Sequence, residues 1–132
     1  MSLDVPAALL ERAERGDIDD IEFIDCVRLS LPYAWQVISD VVTDLELAGE
    51  TAEFADHEIP PPTEFERGQL LRALASDAIR GAMERHFKVT LAFQNCHRVA
   101  AFRCWATEGA RYRAFISPRG QLLNQSPELR DC

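Results

Sequence analysis

Residues 91 to 104, LAFQNCHRVAAFRC, bring two thiols and an imidazole together: Cys96, His97 and Cys104. A cysteine beside a histidine raises two chemistries, a thiolate nucleophile activated by an imidazole base and a zinc-type metal centre. Zinc usually takes four such ligands in a tetrahedron. The sequence offers no C-x-x-C pair and no H-x-x-x-H pair, so His57, His86 or Cys132 would have to converge from far along the chain. The nucleophile pair fails on geometry, because adjacent strand residues point to opposite faces and cannot bond to each other as nucleophile and base. The expectation is therefore no catalytic residue, no bound metal and no cofactor. A metal- or thiol-dependent site at Cys96 and His97 is kept as a minor alternative.

Other catalytic patterns are equally thin. Six glycines, at 16, 49, 68, 81, 109 and 120, are dispersed and form no phosphate-cradling loop, and no serine nucleophile elbow is present. Asp17, Asp19, Asp20, Glu22 and Asp25 crowd one early segment. Such a run on an amphipathic helix reads as a solvated face rather than an acid–base pair.

Stepping along the chain, the elements that would position these residues fall into two kinds. Asp4 is placed to cap a short helix ending at Gly16, and Asp17 to cap a second with Ile18, Ile21, Ile24, Val27 and Leu31 as its apolar stripe. Pro32 opens a third helix carrying Ala34, Val37, Ile38, Val41 and Leu45, which Gly49 ends. Residues 49–63, GETAEFADHEIPPPT, lack a period and read as a proline-rich linker with polyproline II character. Thr63 and Glu66 form a T-x-x-E capping box for one long helix to about His86, with Leu71, Leu74, Ala75, Ala78 and Ala82 on one face. Beyond His86 the period changes to 2. Phe87, Val89, Leu91 and Phe93 mark a first strand, Val99 to Cys104 a second across a turn at Asn95, and RYRAFIS, 111–117, a third. The tail would return as a short strand or lie over the core through Leu122 and Leu123.

The predicted fold class is thus α+β: three N-terminal helices, a Pro-rich linker, a long capped helix, then a three-stranded antiparallel β-meander. With 132 residues of which 47% are hydrophobic, one domain is expected, helical over 1–48, linker over 49–63, and helix plus meander over 64–132. No apolar run has the roughly 18 residues that cross a bilayer, so no membrane partner is expected. The acidic amino-terminal stretch is unlike a secretory signal, which points to a cytoplasmic protein with reduced thiols and with Cys26 and Cys104 as small core residues.

Charge is distributed unevenly. Residues 1 to 66 hold 17 acids and 3 bases, a net of −14, while residues 67 to 132 hold 5 acids and 11 bases, a net of +6. Such halves either face each other within one chain or join two copies. The basic half also raises a second function: Arg98, Arg103, Arg111 and Arg113, interleaved with Trp105, Tyr112 and Phe115, form an arginine–aromatic face of the kind that grips phosphates and stacks bases. The overall net charge of −8 opposes a nucleic-acid partner.

SLPYAWQVISDV (30–41), QLLRALASDAIRGAMERHF (69–87), LAFQNCHRVAAF (91–102) and LLNQSPELRDC (122–132) together resemble a family of small uncharacterised actinobacterial proteins with no assigned function. The resemblance implies a cytoplasmic bacterial origin and supplies no activity, ligand or site residue.

The functional expectation is a non-catalytic protein-interaction or regulatory binding module that self-associates as a homodimer. A meander leaves an edge to be covered by the tail, a helix or another subunit. Tyr33, Trp35 and Trp105 are the interface candidates, as large amphipathic aromatics. A further protein partner and the nucleic-acid reading remain as alternatives.

Overall fold

The computed structural model describes residues 2–95 and 97–123. Among the described residues, seven α-helices and a three-stranded antiparallel sheet follow one another in the order α1 Ala7–Glu14, α2 Asp20–Ser30, α3 Pro32–Leu47, β1 Phe54–His57, α4 Glu64–Ala75, α5 Asp77–Phe87, β2 Thr90–Gln94, β3 Arg98–Phe102, α6 Ala110–Ile116 and α7 Pro118–Leu123. A short 3-10 turn, Cys104–Ala106, precedes α6. The α+β class expected from the segregated periods holds.

Local chemistry accounts for most helix ends. Gly16 and Gly49 take positive φ, +72° and +99°, and close α1 and α3 as expected of residues without a Cβ. Pro32 occupies the first turn of α3, and all five residues of its expected stripe are buried. Thr63 accepts the Glu66 N–H at 3.2 Å to cap α4. Two expected caps are corrected. α1 has no side-chain cap, since it starts at Ala7 with Pro6 at the N-cap position, beyond Asp4, whose main-chain N–H donates to Ser30 Oγ. Asp19, not Asp17, accepts the Glu22 N–H at 2.9 Å and starts α2.

The long helix to His86 is two helices. Ser76 leaves helical geometry, ends α4 and caps α5 by accepting the Ile79 N–H at 3.3 Å. That break resets the helical phase. Leu70, Ala73, Leu74, Ile79, Ala82 and Met83 are buried, whereas Ala75 and Ala78, expected on the buried face, are exposed.

The meander is corrected in one strand. β2 and β3 form the expected hairpin, with Leu91 opposite Ala101 and Gln94 opposite Arg98, and Asn95 at φ +57° makes the turn. The third strand is not RYRAFIS, which is α6, but β1 from inside the expected linker. It pairs with β3 from Phe54 opposite Phe102 to His57 opposite Val99, giving the sheet order β1-β3-β2. Tyr112 and Phe115, three apart, share the inner side of α6 and meet Phe102 edge-on. Phe87 ends α5 rather than opening a strand, and Cys104, expected in the core, is exposed while Cys26 is buried.

Both faces of the sheet are covered. Leu91, Val99 and Ala101 join the main core with Val27, Ile38, Leu70 and Met83 from the helices. Ala92, Ala100 and Phe102 pack with Phe115 of α6 on the other face. The free edge of β2 is plugged by side chains: the Glu84 carboxylate accepts the Leu91 N–H at 2.8 Å, and the Gln121 amide of α7 donates to the Phe93 carbonyl at 3.2 Å. Leu122 and Leu123 are exposed rather than laid over the core, and the rest of the tail, with Cys132, lies outside the described residues. No helix among the described residues is long and apolar enough to cross a membrane.

Candidate functional site

α2 carries apolar side chains on two sides. Its inward side buries Ile24, Cys26 and Val27, yet Ile21 and Leu29, two turns apart, are 74% and 75% exposed on its outward side. The sequence contains the reason. Residues spaced strictly by three drift about 60° per step around a helix of 3.6 residues per turn, so the run from Ile21 to Val27 winds about a third of the way round α2. Read as one stripe, that run hides two faces, one for the core and one for solvent.

Two grooves flank the exposed ridge. Between α1 and α2 a groove of about 430 Å³ has Val5, Leu9, Cys26 and Leu29 as its apolar lining and the carboxylates of Asp4, Glu22 and Asp25 around it. Arg12 of α1 clasps Glu22 of α2 at 2.6 Å, which holds the two helices beside each other and pushes the Arg12 pKa up through that hydrogen bond. The Cys26 thiol donates to the Asp4 carbonyl at 3.3 Å, tying the start of the chain to the groove floor. On the other side, between α2 and α5, Ile21, Ile24, Ala82 and His86 line a smaller groove of about 220 Å³. There Arg85 donates to the Asp20 carboxylate at 2.6 and 3.0 Å, and this holds the Asp20 pKa below the ordinary carboxylate value.

The candidate arginines occupy four different environments. Arg98 reaches from β3 to Asp56 of β1 at 2.8 Å and to Glu58 at 3.1 Å, donates to Gln94 Oε1 at 3.0 Å and lies over the Phe115 ring. Arg103 donates to the Leu45 and Gly49 carbonyls, a cation closing the carboxyl end of α3. Arg111 pairs with Glu53 and covers the Phe54 ring, and Arg113 donates to the Glu108 carbonyl. Arg111 and Arg113 lie on a helix rather than a strand. Arg98 and Arg111 are thus turned onto acids at and beside β1, as Arg85 is onto Asp20 of α2.

The aromatic candidates also separate. Tyr33 and Trp35 are partly buried at the head of α3, where Trp35 touches Phe87, His86 and the Arg28 guanidinium. Burial, followed by the nearby Glu66 charge, raises the Tyr33 pKa. Trp105 stands 59% exposed on the 3-10 turn.

At the hairpin tip His97 is buried and Cys96 lies outside the described residues. Among the described residues no group of three or more His, Cys, Asp or Glu side chains is arranged to hold a metal ion.

Residues 1–132, the full length of the chain, match the family designated KH NucS shadow and described as NucS shadow ORF. The chain belongs to the NucS shadow ORF family. No curated protein and no solved structure matches it significantly. This NucS shadow ORF protein therefore takes no residue role from a relative, and its candidate site rests on the geometry of α1 and α2.

Proposed function

We propose that this NucS shadow ORF protein is a non-catalytic interaction module that associates with itself through charge-complementary surfaces. One observation carries the reading: after the internal ion pairs are made, Ile21 and Leu29 still stand exposed among the carboxylates of α2. An apolar ridge rimmed by charge is the pattern of a surface completed by a partner. The pairs Arg85–Asp20, Arg98–Asp56 and Arg111–Glu53 join acidic and basic halves within one copy. Arg119 has no such pair among the described residues. Sedimentation equilibrium at tens of micromolar in low salt tests this. A dimer is expected, and a monomer under those conditions would overturn the reading.

A second reading, nucleic-acid binding, is favoured by the KH in the family's designation. KH modules clamp a nucleic-acid backbone with a G-x-x-G loop. This chain has no two glycines so spaced, and its α4–α5 joint is Ala75-Ser76-Asp77. A mobility-shift assay with single-stranded RNA and DNA separates the readings: the interaction module gives no shift, and a shift that fades steeply with salt would favour the nucleic-acid function.

A further inference from the structure

We infer that the groove between α1 and α2 of one copy receives the α6–α7 segment of a second copy. The inference rests on the self-association reading above and names the two surfaces that would meet.

The two surfaces are opposite in charge and alike in exposing apolar side chains. Residues 1–30 hold 8 acids and 3 bases, and the groove they form has Asp4, Glu22 and Asp25 at its rim and Leu29 standing out. Residues 110–123 hold 3 arginines and no acid. On that segment Ile116, Leu122 and Leu123 are exposed, and Arg119 makes no ion pair among the described residues. Glu22 is held by Arg12 and Asp25 by Arg28, so Asp4 is the rim carboxylate without an ion pair among the described residues, and residues 1–30 keep a net of −5, 8 acids less 3 bases. Arg119 and the apolar side chains beside it match that acidic, apolar groove. Both terms favour contact, one by steering and one by burial.

Geometry within one copy supports a contact between copies. α6 packs on the sheet face opposite the helical core, and α1 and α2 belong to the helical side. The groove and the α6–α7 segment are thus separate parts of one molecule. Edge pairing through β2 is disfavoured, because Glu84 and Gln121 already occupy main-chain groups on its free edge. Each copy carries both surfaces, so a two-fold pair makes the contact twice.

The test uses two full-length variants, Leu29→Glu in the groove and Leu122→Glu on α7. Both positions are strongly exposed, and unchanged thermal unfolding by circular dichroism checks that both variants fold. Light scattering in low salt is expected to show each variant's dimer weakened by about tenfold or more. Mixing the two should recover dimers at a concentration where each alone is monomeric, because the intact groove of one meets the intact α7 of the other. A wild-type dimer indifferent to both substitutions would overturn the inference while leaving self-association in place. So would variants that weaken the dimer but stay monomeric when mixed, since that marks contact between like surfaces. A monomeric wild type removes the self-association reading itself.

Discussion

Arg85 of α5 grips the Asp20 carboxylate at the head of α2 with two hydrogen bonds, 2.6 and 3.0 Å, across 65 residues of sequence. It joins the acidic and basic halves of the chain and braces the helix that carries the exposed ridge. Because the Arg85 bond lowers the Asp20 pKa, the link stabilises the fold above the ordinary value of 3.8 and is lost as pH falls through the lower folded value. Titration of Asp20 by nuclear magnetic resonance should give a midpoint below 3.8, and Arg85→Gln should raise it. A midpoint unmoved by that substitution would refute the link.

Gln69 caps a helix to which it does not belong. Its buried side-chain oxygen accepts the Tyr33 N–H at 2.8 Å and lies 3.4 Å from the Ala34 nitrogen, so α4 satisfies the free N–H groups at the head of α3. Gln69→Leu keeps similar bulk and strands those donors, at an expected cost of about 1–3 kcal/mol. Urea unfolding checks this, and an unchanged midpoint would contradict it.

Gly120 lets α7 close against α6. A Cβ there would overlap the Ala114 carbonyl and come within 3.1 Å of the Phe115 carbonyl. Gly120→Ala is therefore expected to loosen α7 and cost about 1–3 kcal/mol by overpacking. Hydrogen exchange should speed up in α6 and α7 and stay unchanged in α3. If only α3 responded, the packing described for Gly120 would be wrong.

What could be read from the sequence was governed by the range of the interactions. α3 was legible to its ends because Pro32, Gly49 and an unbroken apolar stripe act within one helix. The β2–β3 hairpin was legible through its alternation and Asn95. β1 was not, since its four residues carry no period of their own and are strand only by pairing with β3, more than forty residues away. RYRAFIS fits both periods: Tyr112 and Phe115 alternate with polar positions only loosely, and contact with Phe102 selects the helix. At the candidate site, the acids around α2 were visible as a charged run. Ile21 is not legible as a surface residue, because isoleucines spaced by three resemble a single core stripe, and Leu29 lies outside that stripe.

Light scattering of the wild-type chain across a salt series tests the central claim, charge-complementary self-association, most directly. Raising salt from tens of millimolar towards 1 M shrinks the screening length from tens of ångströms to about 3 Å. The dimer is predicted to form in low salt and to dissociate progressively over that range. A monomer throughout, or a dimer indifferent to salt, would contradict the claim.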